Sequence, residues 1–130
     1  MVAVDARTSG EIFRKSYPNI IASNRHHATI VGARLKYLAD GYKAGQLVAR
    51  NTVSGLLEKY VNGAASGTGT AYGVLLFDVK DMPSGVNLAA NVAVKAEVYE
   101  SKVIDLDSTA KTQLGGRSVV HADGVTVFMF

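Results

Sequence analysis

Asn91-Val92-Ala93-Val94-Lys95-Ala96-Glu97-Val98-Tyr99 is the stretch whose reading decides the fold. Successive side chains of a strand point to opposite faces, so the alternation of Val92, Val94, Ala96 and Val98 with Ala93, Lys95, Glu97 and Tyr99 predicts a strand that buries one side. Gly73-Val74-Leu75-Leu76-Phe77 is instead apolar on both faces, which predicts a central strand covered on both sides. In all, short β-type runs cover residues 29–38, 46–51, 56–61, 70–80, 91–100 and 124–130. Turn signals separate most of them. Asp40-Gly41 and Asn62-Gly63 tolerate positive φ, and Met82-Pro83-Ser84-Gly85 has proline and glycine at the second and fourth places favoured in a type I turn. The last run sets Val125, Val127 and Met129 against Thr126, Phe128 and Phe130, so both faces are apolar and packing on both is expected. One segment departs from this texture. Asp107 before Ser108-Thr-Ala-Lys-Thr-Gln-Leu114 and Gly115-Gly116 after it are the N-cap and C′ signals of a short helix. The expected fold is mainly β with one short helix, a small α+β or β-barrel-like domain.

The chain has 130 residues, enough for one core, and is 48% hydrophobic but only 19% charged. That balance points to subunit contacts. No apolar run approaches the roughly eighteen residues of a membrane helix, and no membrane partner is expected. The first thirty residues contain no continuous apolar signal segment, so targeted secretion is not expected either. With no cysteine, disulfides, thiolate metal sites and cysteine nucleophiles are excluded.

Charge is uneven along the chain. The net charge is +3, of which the first 44 residues carry +4 and the remainder −1. Residues 1–25 show neither a 3.6-residue nor a two-residue period, and Pro18-Asn19 interrupts the patch of Tyr17, Ile20 and Ile21. The chain therefore divides into an extended basic arm, residues 1–25, and a β-rich domain, residues 26–130. Such an arm suits an acidic surface.

Chemistry-bearing patterns are weak. The glycine-rich Gly63-to-Gly73 segment follows a turn, precedes a strand and lacks the lysine of a phosphate loop, so it reads as a turn feeding a strand. His26 and His27 are adjacent and point to opposite sides of an extended chain, which argues against a metal half-site. Ser118, His121 and Asp123 have triad residue types, but a triad is defined by geometry that three residues this close in sequence cannot show, and chance co-occurrence accounts for them. The carboxylate pairs Asp78/Asp81, Glu97/Glu100 and Asp105/Asp107 lie beside lysines or a helix start, where solvation and capping account for them. Arg14-Lys15 is the arm's one adjacent basic pair, and no nucleic-acid signature accompanies it. No catalytic residue, metal, cofactor or direct nucleic-acid contact is expected.

From Gly45 to Leu114 the chain resembles the lambda-type head decoration proteins of tailed bacteriophages. The features that carry the resemblance are, in order, Gly45-Gln-Leu-Val-Ala-Arg-Asn-Thr-Val-Ser-Gly55, Leu57-Glu-Lys-Tyr-Val61, Gly67-Thr-Gly69-Thr-Ala-Tyr-Gly-Val-Leu-Leu76, the alternating Val92-to-Tyr99 strand and Ile104-Asp-Leu-Asp-Ser-Thr-Ala-Lys-Thr-Gln-Leu114. The resemblance implies a small β-rich capsid-stabilising protein, commonly a homotrimer, on the outer surface of the expanded virion capsid. There it cements the major capsid protein against packaged DNA, and an N-terminal arm adds a strand to that protein. The expected capsid contacts are Arg14, Lys15, Tyr17, Ile20 and Ile21. The longer arm and the Val125-to-Phe130 strand depart from the family pattern. The alternative reading is a β-rich tail, fibre or adhesion module.

Overall fold

The structure, a computed structural model, describes residues 20–130, with residues 24–27 and 31 described by their backbone alone. Arg14, Lys15, Tyr17 and most of the expected arm lie outside the described residues. The elements are β1 (Ile21–Leu35), β2 (Leu47–Arg50), β3 (Leu57–Lys59), β4 (Ala71–Leu75), β5 (Leu88–Tyr99), a 3-10 turn (Glu100–Lys102), the helix α1 (Ser108–Leu114), β6 (Arg117–Val120) and β7 (Thr126–Met129). The fold is mainly β with a single short helix among the described residues. The expected strands are present in order, and the helix begins and ends where its caps place it. Asp107 accepts the Ala110 N–H at 2.7 Å, and Gly115 closes the helix at φ 69°.

Strand pairing closes a ring in the order β1-β3-β2-β4-β5 and back to β1. Its pairs are antiparallel except β1 with β3, which meet in parallel at Leu35↔Leu57. β5 runs on past the ring and pairs with β7 at Glu97, Val98 and Tyr99, and β6 pairs with the far edge of β7. An outer antiparallel sheet, β1-β5-β7-β6, thus shares two strands with the ring.

Each wall of the ring feeds two cores. Leu35, Val48, Leu57, Leu75 and Val92, one from each ring strand, are buried together with Tyr42 and Met82. The opposite faces of the same strands supply Leu47, Ala49, Val74 and Ala93 to a second cluster that β7 covers with Phe128 and α1 with Ala110. β4 is apolar on both faces because it is buried on both, as its sequence requires.

β5 differs from the one-sided strand expected. Ala28 pairs with Lys95 but the next residue, Thr29, pairs with Ala93, so two residues of β5 stand opposite one of β1. This bulge inserts one residue and reverses which parity faces which core. Ala90 and Val92 point into the ring, whereas Ala96 and Val98, of the same parity, join the outer cluster. Ala93 is buried on the other face at 0% exposure and Glu97 at 5%, so β5 is covered on both sides.

Two other expectations are corrected. The Pro83 carbonyl accepts the Val86 N–H, which moves the turn one residue on and puts Gly85, φ 72°, at its third place, as in a type II turn. Nor does the folded body begin after residue 25. Ile20 is 4% exposed in the outer cluster and its carbonyl accepts the Tyr99 N–H, while Ile21 opens β1 opposite Val98. Apolar burial against Val98 and Val103 holds both isoleucines in the domain.

Tyr42 is buried in the ring core, its hydroxyl donating to the Lys36 carbonyl at 2.6 Å. Burial, reinforced by the Glu58 carboxylate, pushes its pKa up to about 12. A group that holds its proton more tightly when folded contributes stability in full below the unfolded value of 10.0, and loses it as pH rises toward 12. Tyr42→Phe is expected to cost about 1 kcal/mol at neutral pH through the lost hydrogen bond. It should also flatten the alkaline fall in stability without abolishing it, because Tyr60 is shifted in the same direction. Urea denaturation across alkaline pH checks both.

Candidate functional site

The glycine-rich segment between β3 and β4 is a chain of turns. The Ala64 N–H donates to Val61, Thr68 to Ala65 and Thr70 to Gly67, so these amides close turns instead of converging on an anion. The loop ends in an arrangement that the sequence does not announce. From α1 the Gln113 side chain accepts the Ala71 N–H through Oε1 at 2.8 Å and donates through Nε2 to the Gly69 carbonyl at 2.8 Å. The amide acts as a one-residue strand beside the entry to β4. Gly69 is required there, since a Cβ would meet the Ala64 carbonyl oxygen at 2.5 Å.

Ser118, His121 and Asp123 are not assembled for catalysis. Asp123 accepts the Val125 N–H at 3.0 Å within the β6–β7 hairpin, and the His121 N–H donates to the Val125 carbonyl. Ser118 faces other partners. Its hydroxyl donates in a short contact to Glu100 Oε1 and accepts from Lys111 Nζ at 2.9 Å, while Lys111 pairs with Glu100 at 2.8 Å. The Lys111 hydrogen bond, then that of Ser118, holds the Glu100 carboxyl below its ordinary value. Lys111 thus presents protons to both neighbours, whereas a lysine that activates a serine must offer a lone pair. The network ties α1, the 3-10 turn and β6 together. Sequence reasoning missed it because β6 carries no periodic signal and the three side chains come from three different elements.

Three more of these carboxylates have structural partners. Asp78 accepts the Ala44 N–H at 2.8 Å, and this bond is the main reason its pKa lies low. Asp105 accepts from the buried Gln46 amide, and Asp107 both caps α1 and accepts the Tyr60 hydroxyl at 3.1 Å. Burial, followed by that bond, raises the Tyr60 pKa. Among the described residues no three histidines, aspartates or glutamates gather as metal ligands. His26 and His27 lie in β1 with only their backbone described. No helix among the described residues is long and apolar enough to cross a membrane.

What remains is surface. A cleft of about 530 Å³ lies between the 3-10 turn, α1 and the start of β7, with Val103, Leu106 and Val125 on its apolar wall and Glu100 and Lys111 at its polar end. Of the expected contact residues, Ile20 is buried and Ile21 is half-buried. Comparison with protein-family models, curated proteins and solved structures finds no match for this chain.

Gln113→Ala removes both bonds to the β4 entry and is expected to destabilise the protein by about 2 kcal/mol, since two backbone groups lose their partner. Amide exchange should accelerate at Ala71 while Val74 and Leu75 stay protected, which native-state hydrogen exchange measures residue by residue.

Proposed function

We propose that this chain is a structural virion protein that seats as an oligomer, a homotrimer by family expectation, on the outer surface of an expanded bacteriophage capsid and cements the major capsid protein against internal DNA pressure. The observation that carries the reading is the ordered resemblance of residues 45–114 to lambda-type head decoration proteins. Its segments supply β2, β3, the entry to β4, β5 and α1. Two of them also meet, where Gln113 brackets Gly69 and Ala71.

The chemistry asked of such a protein is modest. Each oligomer bridges several capsid subunits, so weak contacts combine through effective concentration and opening the shell must break many together. No cofactor or catalytic group enters. The basic N-terminal segment supplies the reach, with Arg14 and Lys15 facing acidic capsid surface and the backbone available to add a strand. Since Ile20 and Ile21 pack in the domain, the contacts assigned to the arm reduce to Arg14, Lys15 and Tyr17.

Full-length protein is expected to co-sediment with empty expanded heads at a fixed ratio to capsid subunits. A variant lacking residues 1–19, cut just before the buried Ile20, should keep its melting temperature and oligomeric state in light scattering but fail to co-sediment. Undiminished binding by the truncated chain sinks the arm assignment, and no binding by the full chain sinks the capsid reading.

A further inference from the structure

Asn62-Gly63 forms the turn that leaves β3. The Ala64 N–H donates to the Val61 carbonyl at 3.1 Å across it, and Gly63 takes φ 80° at the third place, as in a type II turn. Both residues are exposed, and a Cβ at Gly63 would meet nothing within 4 Å. Of the chain's six asparagines, Asn62 is the one followed by glycine. Among the described residues no hydrogen bond uses either the Asn62 side-chain amide or the Gly63 N–H.

Positions of similar chemistry elsewhere in the domain are held. Asn51 accepts the Val53 N–H at 2.9 Å and the Ser54 N–H at 3.1 Å, and its amide donates to Glu58. Asn87 accepts the Tyr37 N–H at 2.8 Å. In the two Asp-Gly pairs the glycine N–H itself is bonded, Gly41 donating to the Leu38 carbonyl and Gly124 to the His121 carbonyl, each at 2.9 Å. Asn62 thus combines a free side-chain amide with a following backbone nitrogen that is exposed, unbonded and unobstructed by a side chain.

We propose that Asn62-Gly63 is a self-modification site, at which the folded protein converts Asn62 through a cyclic imide to isoaspartate and aspartate, with water as the co-reactant. The Gly63 nitrogen gives its proton to hydroxide and attacks the Asn62 Cγ. The new N–Cγ bond closes the imide ring while the Cγ–Nδ2 bond breaks, and Nδ2 takes a proton from water and leaves as ammonia, which regenerates the hydroxide. A water molecule then opens the ring. Opening at Cγ restores the ordinary backbone with an aspartate side chain, and opening at the backbone carbonyl leaves the chain running through Cγ as isoaspartate. The sum consumes asparagine and water and releases ammonia. Asn62 lines a cleft of about 450 Å³ with Tyr60, Asp105 and Asp107, so the new carboxylate joins two already there and lowers the net charge of +3 by one. Isoaspartate also lengthens the backbone between β3 and the bond from the Val61 N–H to the Thr68 carbonyl. The chemistry is independent of the role proposed for the protein.

The test incubates the full chain at neutral and at mildly alkaline pH, maps the products by peptide mass spectrometry and counts isoaspartate by enzymatic methylation. A synthetic peptide of residues 59–66 gives the rate of the unfolded segment. Conversion is expected at Asn62, with isoaspartate in excess of aspartate, a rate that rises with hydroxide, and Asn51 and Asn87 intact. Because exposed turns open at little free-energy cost, the rate in the folded chain should lie within about tenfold of the peptide's. Asn62→Ser should lose the isoaspartate altogether, and its melting curve, matched to that of the unreacted wild type, establishes that both are folded. A rate in the folded chain below that range overturns the proposal. So does earlier conversion at Asn51, Asn87 or an Asp-Gly pair, or aspartate without isoaspartate, which would mark direct hydrolysis of the amide.

Discussion

The bulge at Val94-Lys95 is the constraint on which the rest of the architecture depends. A regular strand of this length would keep Ala90, Val92, Val94, Ala96 and Val98 on one face, and one core could then be served along its whole length. The extra residue breaks that continuity. Residues before it line the ring and residues of the same parity after it enter the outer cluster beside Phe128. β5 changes neighbours over the same interval, from β4 at Val92 and Ala93 to β7 at Glu97 to Tyr99. A bulge also increases local twist, and twist is what lets one strand serve as a wall of a ring and then as the second strand of a sheet.

Beyond β5 the outer layer is fastened by polar side chains that bond to backbone. Gln113 holds the entry to β4, Asp107 holds both α1 and Tyr60, and Gln46, 3% exposed, reaches the Leu47 carbonyl and Asp105. Among the described residues no buried side-chain nitrogen or oxygen is left without a partner. This matters because an unmatched buried polar group costs more than a matched one contributes. A helix of seven residues is too short to be stable alone, so its position comes from these bonds and from Ala110 in the core.

The parts of this fold legible in the sequence were those governed by local rules. Asp107 and Gly115 delimit α1 because capping is settled within a few residues, and Gly73-to-Phe77 reads as central because both its faces are apolar. The bulge in β5 was not legible. Val92-Ala93-Val94-Lys95-Ala96 alternates without a flaw, and only pairing with β1, some sixty residues away, decides that one residue is extra. β6 escaped for a related reason, since Arg117-Ser118-Val119-Val120 is short and mostly exposed and is a strand because β7 lies beside it. The entry of Ile20 into the core likewise depends on Tyr99 and Val103. At the candidate site, the reading of the glycine loop as a turn feeding a strand agrees with its backbone bonds, while the Glu100–Lys111–Ser118 network joins side chains of three different elements, and which of them meet is set by packing.

The low charge count takes on a different meaning in this light. A surplus of apolar residues over charge would favour assembly through a broad apolar face if the surplus were on the surface. In the described residues much of it is consumed inside, because β2, β4 and β5 are buried on both faces and a two-cored sheet needs nearly twice the apolar residues of a one-sided one. The large apolar side chains left exposed among the described residues, Ile30, Val53, Val61, Val86, Val120 and Val125, lie on β1, on β6 and in the segments between strands. The apolar surplus of the described residues is thus what a sheet buried on both faces requires, and the low charge count is its complement.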